Sequence, residues 1–206
     1  MIAAFGLAAA IVVVASAVIA VSARDARIGI VGFALASVVS CVIADPLPAA
    51  IPLLFRIVAA LFAAYLLWIT VRETDTRVGA TSLGWPVEAL AAATAFVIGL
   101  APSLLETDQA GPDAAFASGL AVVVLAVVPV MFARDAFRLG MGLLLLLIGA
   151  ALLRVGIAGT PAPLEQLTLG ILAIGVAGAT TVVAFNAFAV SETLELWTGS
   201  GGDDER

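Results

Sequence analysis

The chain has no histidine and no lysine, and Cys41 is its single cysteine. Haem, iron–sulfur and structural zinc sites draw on these residues, so the chain alone is not expected to hold a metal or other cofactor. Cys41 stands in the middle of an apolar stretch, which suits a small packing residue better than a redox group. Charge is also scarce: 12% of residues are charged, 63% are hydrophobic and mean hydropathy is +1.21. A soluble domain of 206 residues would lack the polar residues to cover its core. The net charge of −6 arises mostly in loops and termini, so nucleic acid is not an expected partner. No Ser–His–Asp set, phosphate-binding loop or paired intramembrane carboxylate is present, so no catalytic residues are assigned and an accessory role without an active site is expected.

What the chain does contain is long apolar blocks. Each approaches the roughly 20 residues that cross about 30 Å of hydrocarbon as a helix. Backbone in lipid must satisfy its own hydrogen bonds, which selects helices. Runs such as 143–147 lack the alternation of a transmembrane barrel strand. We expect an all-α, polytopic integral membrane bundle in a lipid bilayer. Its seven transmembrane helices should cover residues 2–22, 28–44, 48–71, 83–104, 114–132, 139–157 and 163–190, with an acidic tail over 191–206. No positive charge precedes the first block, so it is taken as a retained helix and not a signal peptide.

A short arginine-rich turn occurs twice. Ala23-Arg24-Asp25-Ala26 is followed by Arg27, and Ala133-Arg134-Asp135-Ala136 by Arg138. Each following helix ends at a proline-containing link, Asp45-Pro46-Leu47-Pro48 or Thr160-Pro161-Ala162-Pro163. The pattern implies one three-helix unit used twice, over 1–71 and 114–190, on either side of a linking helix over 83–104. Arg24, Arg27, Arg72, Arg77, Arg134 and Arg138 all fall in the links after helices one, three and five, while the other links hold no arginine. Arginine-rich loops stay cytoplasmic. This predicts a multi-pass plasma-membrane protein with its N-terminus outside, its C-terminus inside and its two units parallel.

A few charges fall inside or beside the helices. Arg56 lies about eight residues into the third helix, roughly 12 Å from its outer end. It is either a buried cation on an ion path or a snorkelled side chain pairing with Asp45. Glu88, in the first turn of the fourth helix, either complements the helix dipole or relays protons. Arg154 and Glu165 face each other across a short link and are expected to pair at the outer interface, near Asp45. Gly29 and Gly32, Gly140 and Gly142, and Gly170, Gly175 and Gly178 recur within helices two, six and seven, where small residues allow close approach.

The closing pattern is a helix, an arginine-bearing turn, a glycine-containing helix, a proline link and a last helix opening Pro163-Leu164-Glu165-Gln166-Leu167. It resembles the K subunit of NADH–quinone oxidoreductase and the C subunit of Mrp-type antiporters. With its additional helices the chain is most similar to the E component of hydrogenase-4, over about 110–190. Arg138, Gly142 and Gly149 fall at family-like positions, and Arg56 falls where the E component has a basic residue. The acids of the family's two final helices align near Leu147 and Leu172, which are apolar here. The resemblance implies a non-catalytic membrane subunit of a proton- or sodium-translocating assembly, partnered by antiporter-like subunits. Arg56 and Glu88 are then the candidates for its ion path. A stand-alone small-solute transporter and a structural membrane protein are the alternatives.

Overall fold

The computed structural model describes residues 2–43, 49–74, 84–101, 113–132 and 135–191. Among these are seven α-helices and no β-strand: α1 (Ile2–Ser22), α2 (Ala26–Ser40), α3 (Ala50–Thr74), α4 (Trp85–Gly99), α5 (Asp113–Phe132), α6 (Ala136–Ala158) and α7 (Pro163–Ser191). Asp45, Arg77 and Arg134 lie outside the described residues, as do the first proline link, the loop over 102–112 and the tail over 192–206.

Local chemistry sets the helix ends. Asp25 caps α2 in extended conformation and accepts from the Arg27 N–H at 2.9 Å. Asp135 does the same for α6, accepting from the Arg138 N–H at 2.6 Å. Both copies of the arginine-rich turn therefore start a helix through their aspartate. Gly159, at φ +75°, stops α6 in a backbone conformation that glycine adopts at no steric cost. Pro163 then opens α7, where a missing N–H leaves no bond unmade.

Five helices, α1, α3, α5, α6 and α7, are long and apolar enough to cross a membrane. The other two are apolar but have 15 residues each. That is roughly 22 Å of helix, less than the roughly 30 Å of a hydrocarbon core. Helix length alone thus supports five spans and not the expected seven. In α2 the expected end at residue 44 is pre-empted by side chains. Ser40 Oγ donates to the Ser37 carbonyl at 2.7 Å and Cys41 Sγ to the same carbonyl at 3.2 Å, closing the helix off. In α4 the N–H of Leu100 is shared between the carbonyls of Phe96 and Val97, a tightened last turn.

Glycines record how the helices approach. On α2, a Cβ at Gly32 would lie 2.7 Å from the Ser16 carbonyl oxygen, and one at Gly29 3.1 Å from that of Ala20. These contacts make α1 and α2 antiparallel. The most extensive contact joins α5 and α6, also antiparallel, where Gly142 faces Pro129, Gly149 faces Val123 and Gly156 faces Phe116. Gly140 faces Thr180 while Arg154 reaches Glu165, so α6 and α7 are antiparallel too. Near their starts, α3 and α7 meet where Gly170 faces Phe55 and Ala59. Nearer their ends, Thr70 Oγ1 donates to Thr181 Oγ1 at 3.0 Å. Hence α3 and α7 run parallel. By contrast, Gly175 and Gly178 on α7 face no atom of the described residues within 4 Å of an added Cβ.

The core draws on all seven helices, most heavily on α1, α5 and α6, with Val13, Val122, Leu125, Leu144 and Leu145 fully buried together with Phe33 of α2 and Leu67 of α3. The outside is equally apolar. Ile51 is 84% and Leu164 74% exposed, and Phe5, Leu54, Val97 and Ile171 are also uncovered. Side chains of this kind around a bundle of long apolar helices indicate a membrane protein, because water would penalise that surface and lipid would not.

Candidate functional site

Chain direction brings four described arginines to one end of the bundle. Arg24 and Arg27 are exposed in and just after the turn between α1 and α2. The Arg27 guanidinium stands over the Trp68 ring of α3, 6.0 Å from its centroid, a weak cation–π contact. Arg72 follows one turn later on α3 and is exposed. Arg138 opens α6 at the same end.

A buried polar cluster lies inside this end. Glu88, in the first turn of α4, is 1% exposed. Its Oε2 accepts from Ser22 Oγ, at the last residue of α1, at 2.5 Å. Its Oε1 is buried and, among the described residues, has no hydrogen-bond partner. The Arg138 guanidinium is within electrostatic reach of both Glu88 and Asp135. It pairs with the Asp135 carboxylate at 3.7 Å, too long for a hydrogen bond, and its buried Nε has no hydrogen bond among the described residues. The cluster joins α1, α4 and α6, three helices far apart in sequence. A carboxylate with one bonded and one unused oxygen can gain or lose a proton without breaking the bond that holds it in place.

Arg56 does not share this site. It lies in the second turn of α3, toward the opposite end of the bundle, and lines a cavity between α2, α3, α6 and α7. Ser37 and Ser40 of α2, Leu147 and Ala151 of α6, and Gly170 and Ala173 of α7 complete much of its wall. The space open to water-sized centres is about 30 Å³. A single water needs about 10–15 Å³ by that measure, so roughly two fit. No ion pair to Arg56 occurs among the described residues. Leu147, near which the resemblance places an acid, faces this cavity; Leu172 is instead exposed on α7. Cys41 is buried, donates to the Ser37 carbonyl and lies within electrostatic reach of Arg56.

Arg154 and Glu165 come together at the opposite end, joining α6 and α7. Arg154 Nη2 lies 2.8 Å from Glu165 Oε2, and its Nη1 donates to the Gly159 carbonyl at 3.0 Å. Glu165 also accepts from the Ala162 N–H at 2.9 Å, which ties down the first turn of α7. Both side chains are more than a third exposed, so the pair fastens the link and is not a buried ion site.

No family model, curated protein or solved structure matches the chain. Its sites therefore rest on their own geometry. Sequence reasoning named Glu88 and Arg138 separately but did not join them, and it did not find Ser22, Ser37 or Gln166. Gln166 is 1% exposed, and its Oε1 has no partner among the described residues. Its position at the start of α7, one residue after Glu165, gave no sign of burial. The spacing of Gly142, Gly149 and Gly156, every seventh residue of α6, was a legible signal for the α5 contact, since a heptad repeat keeps one face toward a neighbour.

Proposed function

We propose that the chain is a non-catalytic integral membrane subunit of an ion-translocating assembly of the complex I, hydrogenase or Mrp antiporter kind. The observation that carries this reading is Glu88, a buried carboxylate with one unused oxygen at the meeting of three helices. Ionisable groups inside membrane bundles are costly and mark ion or proton routes. In this reading the translocated ion is a proton or sodium, and Glu88 is the group that carries the proton in the first case.

In this reading all seven helices belong to the membrane domain, with the shorter α2 and α4 held at depth by their neighbours. The arginine-rich end faces the cytoplasm, the N-terminus is outside and the C-terminus inside. The two three-helix sets act as parallel units, and the membrane is the plasma membrane. Antiporter-like subunits would cover α3 and α7, the spans least buried within the chain. A second reading, a stand-alone transporter, draws on the Arg56 cavity. Its volume restricts the solute to about the size of an inorganic ion.

Purification from native membranes in mild detergent separates the two. A subunit should co-purify with larger antiporter-like membrane proteins and show no flux when reconstituted alone. Flux by the isolated chain would support the second reading instead.

A further inference from the structure

Among the described residues, the cavity beside Arg56 is lined by one positive side chain and no negative one. Both serine protons at its wall are already used: Ser37 Oγ donates to the Phe33 carbonyl at 2.8 Å and Ser40 Oγ to the Ser37 carbonyl at 2.7 Å. Leu144, Leu147, Ile148 and Leu169 make the rest of the lining apolar. Arg56 is thus the cavity's source of side-chain hydrogen-bond donors, with five N–H groups and no acceptor. Among the described residues it forms no ion pair. A guanidinium held in an apolar setting strongly favours a counter-charge.

We infer that this cavity binds a small monovalent inorganic anion, of the chloride or bromide class, with Arg56 as its donor. Space for about two waters admits a halide with one water and excludes phosphate or an organic acid. The apolar walls favour anions that give up hydration readily, so bromide should compete well and fluoride poorly. Bound there, the anion pairs with Arg56 of α3 and is enclosed by the apolar walls that α2, α6 and α7 supply. The site lies away from Glu88 and stands whether or not Glu88 carries protons.

The test is equilibrium binding of radiolabelled chloride to the full-length chain in detergent micelles, with ionic strength held by gluconate. Saturable binding at a single site, displaced by bromide and not by fluoride, is expected. Arg56→Gln should weaken it more than about tenfold, as loss of one partner of a desolvated charge pair does. Ala173→Leu, which fills the cavity and keeps the charge, should weaken it comparably, and this variant decides the matter if Arg56→Gln fails to fold. Arg56→Lys should bind more weakly than the parent but measurably. Absence of saturable binding in the parent, or equal binding by the parent and Ala173→Leu, would overturn the inference. It would also fall if chloride bound only after Asp45→Asn, because the Asp45 carboxylate would then be the counter-charge.

Discussion

Replacing Gly156 with alanine adds one methyl group to α6 where α5 leaves no room for it. A Cβ there would lie 2.5 Å from Phe116 Cβ and 2.6 Å from both its Cα and its N. No rotamer change moves those atoms. Carbon contacts prefer about 3.5–4.0 Å, so the helices would have to part by roughly 1 Å. Separation would not stay local. A Cβ at Gly149 would stand 2.9 Å from Val123 N, and one at Gly119 2.6 Å from Leu153 N, so the whole interface depends on the same close approach. Overpacking of this kind costs about 1–3 kcal/mol. Helix association in lipid relies on packing without a hydrophobic drive to compensate, which puts Gly156→Ala near about 3 kcal/mol, the upper end. Gly175→Ala is the control, since nothing lies within 4 Å of its added Cβ. Alanine's helix propensity, about 0.8–1.0 kcal/mol above glycine's, should leave it neutral or slightly stabilised. Both variants can be unfolded with sodium dodecyl sulfate from mild micelles and followed by far-ultraviolet circular dichroism. Equal midpoints for the two would refute the close α5–α6 packing.

Ser22→Ala should leave the Glu88 carboxylate with no hydrogen bond and lower stability by about 1–3 kcal/mol in the same titration, whereas Ser22→Thr should retain most of it. Glu165→Gln, at a pair more than a third exposed, should cost less than about 1 kcal/mol; a loss well beyond that would show that the pair anchors more than the link. Arg24→Cys and Glu165→Cys, made in a Cys41→Ala background, should react with an impermeant maleimide from opposite sides of a sealed membrane. Labelling from the same side would contradict the chain direction of α6 and α7 in the bilayer.

Legibility in the sequence followed the range of the interactions concerned. Ile2–Ser22 agrees with its apolar block because nothing local interrupts it. Pairing of Arg154 with Glu165 was readable because they are 11 residues apart across one short link. The early end of α2 was hidden, because Ser40 and Cys41 read as apolar-helix neighbours until their hydrogen bonds to Ser37 were visible. The Glu88 cluster was hidden for a different reason. Its Ser22 partner is 66 residues away, and Arg138 a further helix pair beyond, so only tertiary packing brings them together. Composition fixed the burial of neither Glu88 nor Gln166, since each sits in a first helical turn where exposure is the ordinary expectation.

Proton flux through the native assembly in everted membrane vesicles tests the role of Glu88 most directly. Glu88→Gln keeps the side chain's size and its bond to Ser22 but cannot carry a proton, and it should lower flux by about a hundredfold or more. Glu88→Asp should restore part of it. Undiminished flux in Glu88→Gln, with the assembly intact, would contradict a proton-carrying carboxylate at the meeting of α1, α4 and α6.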